Sequence, residues 1–199
     1  MQTVLVTGFE SFGGDARNPS AELAQALAGR VIGGGRVVTA VLPCVFGASS
    51  RELLALVRRH RPAVVLCLGL AVNRTEITPE RVAINIDDAR IPDNAGAQPV
   101  DRPIVRGGPT AYWSTLPVKP IVTALRRRRL PASVSQTAGT FVCNHVFYAL
   151  MHALRRQRAV RAGFMHLPWP ADWPGHAGAK VTFAELGRAV EAAIAVAQR

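Results

Sequence analysis

No apolar run in this 199-residue chain is long enough to cross a bilayer. The longest, "PAVVLCLGLAV" at 62–72, falls short of the roughly 18 residues a spanning helix requires. The opening "MQTVLVTGFE" has no basic leader and no long apolar stretch before a small-residue cleavage site, which argues against a signal peptide. Cysteine is scarce. Cys44, Cys67 and Cys143 are far apart and odd in number, a pattern that suits free thiols in a reducing cytoplasm better than a disulfide framework. Repeats, low-complexity tracts and linkers are also missing, so the expected organisation is one domain over 1–199.

Signals for a metal or a cofactor are lacking as well. "GFESFGG" (8–14) is neither G-x-G-x-x-G nor a Walker A loop, and its two phenylalanines suit an apolar pocket better than a phosphate. No His, Cys and carboxylate set has useful ligand spacing, so neither metal nor cofactor is expected. The net charge of +11 points toward nucleic acid, but its distribution does not. "RRHR" (58–61), "RRRR" (126–129) and "RRQRAVR" (155–161) each fall at the end of a predicted helix, where cations complement exposed carbonyls. Interleaved aromatics and nucleic-acid-binding spacings do not accompany them. The clusters read as solvated helix ends, with no specific nucleic-acid partner and no membrane.

What is present is a globular composition, 49% hydrophobic and 19% charged. Short β-branched runs alternate with helical patterns, the mark of an α/β layer fold. Strands are predicted at 3–9, 36–44, 63–70, 132–136 and 162–168. Asn18 and Pro19 open a helix to about Leu27; Ser49 with Glu52 reads as a capping box for one to about His60. Further helices are expected at 118–129, at about 144–157 and, from a Thr182/Glu185 box, to the C-terminal end. Between about 73 and 117 the helical period disappears, and this reads as an irregular loop or hairpin insertion.

"TAGTFVCNH" (137–145) puts Cys143 between a glycine-containing loop and a helix N-terminus, where free N–H groups and the helix dipole favour a thiolate. The same N–H groups suit an oxyanion, although no G-x-S-x-G is present. A packed thiol fits this local context equally well; Cys67 and Cys44 read as packing. A nucleophilic cysteine needs a base. His60 and His152 read as solvated, His176 has no evident orienting group, and His145 follows Cys143 too closely to face it on a helix. His166 ends "GFMHLP" at the carboxyl edge of a sheet, where open α/β folds bind ligands. Spacing does not choose an orienting carboxylate among Glu76, Glu80, Asp87, Asp88, Asp93 and Asp101.

Four separated blocks resemble one family. "LVTGFESFGG…NPS", "ERVAINIDDARIPDNAGAQPVD", "TAGTFVCNH" and "GFMHLP" are similar, in register from about residue 3 to 168, to the pyroglutamyl-peptidase I (pyrrolidone-carboxylate peptidase) family of cysteine peptidases. The resemblance implies a cytosolic homotetramer with an α/β/α sandwich around a mostly parallel twisted sheet. It implies removal of N-terminal pyroglutamate (5-oxoproline) from peptides, the expected partners. It also implies Cys143 as nucleophile, His166 as base, Glu80 as orienting carboxylate and Arg90 as an oxyanion partner. Phe9, Phe12, Ile91, Phe141 and Val142 would line the ring pocket.

One stretch departs from the pattern. Many bacterial members read Gly-Gln-Ala-Gly-Gly-Arg where this chain reads "GLAVNR" (69–74). Leu70 replaces a glutamine that in relatives lies beside the ring, and Val72 and Asn73 replace glycines. A lost hydrogen bond to the lactam would cost about 0.5–1.5 kcal/mol. Two other readings follow: an amidase of the same mechanism with a shifted substrate, or a noncatalytic relative that binds small cyclic amides or nucleic acid.

Overall fold

The computed structural model describes residues 1–175 and 178–199, so His176 lies outside the described residues. In chain order the elements are β1 (Gln2–Phe9), α1 (Pro19–Ala26), β2 (Val31–Ile32), β3 (Gly35–Leu42), α2 (Ala48–His60), β4 (Val64–Leu70) and β5 (Thr78–Pro79). There follow β6 (Val82–Ile84), β7 (Ala111–Trp113), α3 (Val118–Arg127), α4 (Val142–Leu154), β8 (Arg161–Leu167) and α5 (Phe183–Ala197). The main sheet runs β2-β3-β1-β4-β8-β5, and β6 pairs with β7 separately. β3, β1, β4 and β8 are mutually parallel, while the short edges β2 and β5 are antiparallel.

The period of two along each strand sorts side chains into two cores. Val4 and Val6, Val64, Leu66 and Leu68, and Met165 and Leu167 pack with Leu23, Ile121, Leu125 and Val190 from α1, α3 and α5. The alternate residues Leu5 and Phe9, Val65 and Cys67, and Ala162 and Phe164 pack with Leu53 of α2 and Val146 and Leu150 of α4. Helices thus cover both faces of the sheet, giving the α/β/α sandwich.

The α1 start follows its sequence signal. Asn18 Oδ1 accepts from the Ser20 N–H at 3.0 Å, and Ser20 Oγ in turn accepts from the Phe9 N–H at 3.0 Å. β1 approaches this turn so closely that a Cβ on Gly8 would stand 2.1 Å from the Ser20 carbonyl oxygen, so only glycine fits. α5 carries the expected reciprocal Thr182/Glu185 box.

Elsewhere the structure differs from the sequence expectations. α2 begins at Ala48 with Gly47 (φ 71°) at its cap, and Ser49 Oγ donates to the Val45 carbonyl instead of capping. The 73–117 segment contains no helix, but it contributes β5 to the main sheet and β6 and β7 to the small one. Residues 132–136 run parallel to it and join it only at two isolated bridges, Ile77–Ala132 and Glu80–Ser135. Ile77 and Arg81 donate N–H groups to Pro131 and Ser135, but Pro79 between them has none to give, so the ladder is interrupted. Among the described residues, no helix is long and apolar enough to cross a membrane.

Candidate active site

β1, β4 and β8 end together at Phe9, Leu70 and Leu167, so their carboxyl ends form one edge. There Gly69 of β4 is the register partner of His166 of β8. Both continue the series of alternate residues (Val65 and Cys67, Ala162 and Phe164) that face α2 and α4. α4 packs on that face, and its second residue is Cys143. A Cβ on Gly69 would stand 3.0 Å from Cys143 Sγ and 2.7 Å from the Phe164 ring, so the absent side chain is where the sulfur sits. Cys143 and His166 line one cleft of about 350 Å³, with Phe12, Leu70, Arg90 and Phe141 among its other walls.

β5 sets the acid behind the imidazole. Thr78 and Pro79 pair antiparallel with His166 and Met165, and the Glu80 N–H donates to the Phe164 carbonyl at 2.9 Å. Glu80 is completely buried, and its Oε1 lies 2.7 Å from His166 Nδ1. That bond holds the Nδ1–H tautomer and leaves Nε2 as the basic nitrogen. Arg74 Nη1 donates to the same Oε1 at 2.6 Å and to Thr78 Oγ1 at 2.5 Å, while Nη2 donates to the Thr137 carbonyl at 2.8 Å. Glu80 Oε2 is buried with no hydrogen-bond partner among the described residues.

The electrostatics correct one expectation. The helix N-terminus was read as favouring a thiolate, yet the Cys143 thiol is pushed well above its ordinary value of 9.0. Burial is the main cause, reinforced by Cys44 and Glu80 and opposed by Arg74. His166 is lowered from 6.5, first by burial; the Glu80 bond pulls it up and Arg74 pushes it down. At neutral pH the resting pair is therefore a neutral thiol and a neutral imidazole. Among the described residues, no hydrogen bond joins the two in the free protein.

No side chain caps α4, whose cap residue is Phe141, so the first-turn N–H groups, that of Cys143 included, are open to an anion. Arg90 is exposed at the rim of the same cleft. Of the residues expected in the ring pocket, Phe12, Leu70, Ile91 and Phe141 line the cleft, as do Val72 and Asn73. Phe9 and Val142 do not; they lie buried in the core beneath it. Phe12 and Phe46 flank the Phe141 ring at centroid distances of 6.0 and 5.4 Å.

The remaining candidates serve elsewhere. His145 faces away from the cleft: Nδ1 lies 2.9 Å from Asp87 Oδ2, and Nε2 accepts from the Gly47 N–H at 3.1 Å. Ser50 Oγ is also 3.0 Å from Nε2. His152 is not simply solvated, since Nδ1 lies 2.8 Å from the Tyr112 hydroxyl and its ring stacks on Tyr148. Asp93 accepts N–H bonds from Phe46, Ala95 and Ala97. Cys44 and Cys67 are buried, and burial pushes each thiol up to about 12. Two structural contributors carried no role in the sequence reading. Arg74, the cation paired with the buried Glu80, is one. Asn144 brackets β6, accepting from the Ile84 N–H and donating to the Ile84 and Ile86 carbonyls. Among the described residues, no three or more His, Cys, Asp or Glu side chains are grouped to hold a metal ion.

Comparison with known proteins extends over the whole chain. A family model described as pyroglutamyl peptidase matches residues 2–199. The pyrrolidone-carboxylate peptidase of Klebsiella pneumoniae is 55% identical over 201 residues, covering 100% of this chain and 94% of that protein. Pyrrolidone-carboxylate peptidase 1 of Ralstonia nicotianae is 57% identical over 180 residues, covering 89% of this chain and 84% of the relative. Among solved structures, the Bacillus amyloliquefaciens pyroglutamyl peptidase I superposes with a TM-score of 0.94 at 43% identity, over 100% of this chain and 96% of the other. The pyrrolidone carboxyl peptidase of Thermococcus litoralis gives 0.95 at 38% identity, over 100% and 94%.

Proposed function

This chain belongs to the pyroglutamyl peptidase family, and we propose that Cys143, His166 and Glu80 carry out its reaction, with Arg90 assisting. The activity is that of a cysteine exopeptidase, hydrolysing the amide bond after an N-terminal pyroglutamyl residue. One observation carries the assignment of roles: His166 is held through Nδ1 by a fully buried carboxylate at 2.7 Å while lining the same cleft as Cys143.

Because both resting groups are neutral, the attack is general-base assisted. Nε2 of His166 takes the Sγ proton as sulfur bonds to the pyroglutamyl carbonyl carbon, and the carbonyl π electrons move to oxygen. The Cys143 N–H and the Arg90 guanidinium receive that oxyanion. When it collapses, the C–N bond breaks and the imidazolium returns its proton to the departing amine. Water then attacks the thioester with His166 as base, releasing 5-oxoproline and the thiol.

Pyroglutamate is a neutral lactam without a free α-amine, so an apolar wall of Phe12, Ile91 and Phe141 suits its ring, and no acid is required to grip an ammonium. Leu70, 6% exposed in that wall, adds apolar surface where a polar side chain would read the lactam edge. This favours a second reading, an amidase of the same mechanism with relaxed ring preference. We further propose a cytoplasmic homotetramer acting on pyroglutamylated peptides; the resemblance and the three free thiols support the compartment. Pyroglutamyl, prolyl and alanyl arylamides separate the readings. Cleavage of the first alone, lost in Cys143→Ala, supports the proposal; comparable rates on all three support the relaxed amidase, and full activity in Cys143→Ala overturns the assignment.

A further inference from the structure

Glu80 presents an unusual charge problem. Its carboxylate is completely buried, Oε2 has no partner among the described residues, and Oε1 alone accepts two donors. One donor is His166 Nδ1–H, uncharged at rest, so among the described residues the only cation in contact with the acid is Arg74. A carboxylate is costly to bury without a cation or a full set of donors.

We propose that Arg74 is a positioning residue of the reaction, holding the Glu80 carboxylate aimed at His166 while tethering the loop that leads to Cys143. The tether is the second half of the guanidinium: Nη2 holds the Thr137 carbonyl at 2.8 Å, six residues ahead of the nucleophile, while Nη1 holds the acid at 2.6 Å. One planar group thus fixes the distance between the acid's strand and the nucleophile's loop. Lysine, a single point charge, does not reproduce this two-ended grip. The charged and titratable groups around His166 are Glu80 and Arg74 behind it, and Cys143, Asp88 and Arg90 around the cleft. Arg74 is the one that touches the acid and opposes protonation of the imidazole.

This inference rests on His166 being the base, and its test separates the two. The pH dependence of kcat/KM on a pyroglutamyl-arylamide is measured for wild type, Arg74→Gln, Arg74→Lys, Glu80→Gln and the Arg74→Gln/Glu80→Gln double variant. Melting curves establish that each variant is folded. In Arg74→Gln the imidazole becomes the acid's only counter-ion, so the acid limb moves to higher pH. Arg74→Lys keeps the limb near its wild-type place but lowers kcat, because the tether is gone. In the Glu80→Gln background, removing Arg74 moves the limb less, because only its direct repulsion of the imidazole is lost. An acid limb that stays put or moves down in Arg74→Gln, or that moves equally with and without Glu80, reduces Arg74 to a loop tether and overturns the proposal. If Arg74→Gln does not fold, Arg74→Lys decides: kcat and limb both unchanged overturn it. Turnover retained in Cys143→Ala, assayed alongside, contradicts the active-site assignment itself, whatever the limb does.

Discussion

Cys143 Sγ occupies space that a side chain on Gly69 would need, 3.0 Å from the position of the missing Cβ. Gly69 is also the register neighbour of His166, so one absent methyl group lets sulfur and imidazole share a face of the sheet. Gly69→Ala is expected to displace the sulfur and press on the Phe164 ring. Overpacking of this kind costs about 1–3 kcal/mol, and misplacement of the nucleophile lowers kcat by roughly 10²-fold. Thermal melting and steady-state kinetics on one preparation measure both. Wild-type kcat in Gly69→Ala contradicts the placement.

The pH profile follows from two neutral partners. His166 titrates below its ordinary 6.5, so kcat/KM rises with pH on a limb centred below that value and is level through neutrality. The thiol is raised above 9.0, so the thiolate absorbance that distinguishes wild type from Cys143→Ser appears only in strongly alkaline solution. A thiolate band already present at pH 7, lost in Cys143→Ser, would show a resting ion pair instead.

Stability carries the same signs. His166 binds its proton less readily folded than unfolded, so its contribution is complete above 6.5 and is lost as pH falls from there through the lowered folded value. Cys143 binds its proton more tightly when folded, so its contribution is complete below 9.0 and is lost as pH rises beyond. Denaturant midpoints measured across pH for wild type and His166→Gln check the first; the acid-side loss is expected to shrink in the variant.

Asp87 Oδ1 is buried without a hydrogen-bond partner among the described residues, and Oδ2 pairs with His145. His145→Ala leaves that carboxyl group and the Gly47 N–H without their hydrogen-bond partner, with an expected cost of about 1–3 kcal/mol. The double variant His145→Ala/Asp87→Ala, which removes the unpaired carboxyl group, should recover part of it. Urea titrations of wild type and the single and double variants provide the test.

Leu70→Gln returns a hydrogen-bonding side chain to the cleft wall. A gain of about 0.5–1.5 kcal/mol in binding a lactam predicts a lower KM for pyroglutamyl-arylamide and a larger margin over the prolyl analogue. Equal effects on both substrates would show that Leu70 does not read the ring.

Much of this was legible in the chain. β4 announced itself as an unbroken apolar run because it is buried on both faces, and Asn18–Pro19 and Thr182–Glu185 mark helix starts with local chemistry that the fold leaves intact. Ser49 misled because a cap depends on where the chain enters the helix, and Gly47 with φ 71° lets that happen earlier. The 132–136 strand failed through a partner 53 residues away, Pro79, whose missing N–H interrupts the pairing. Local pattern marked Cys143 and His166 as candidates, whereas Glu80 could not be chosen from spacing. Its position comes from β5 folding back antiparallel onto β8, a non-local pairing of two residues. Arg74 and the Asp87–His145 pair were hidden for the same reason. For the Cys143 thiol, the helix terminus is visible in sequence, whereas the burial that raises it is not.

The most direct measurement is the site of acylation. The protein is mixed with excess pyroglutamyl-arylamide, quenched in acid within one turnover, digested and mapped by mass spectrometry. One pyroglutamyl group, linked as a thioester on the peptide containing Cys143 and absent from Cys143→Ala, is the predicted result. Turnover that persists in Cys143→Ala, or an acyl group found on another residue, would contradict the account.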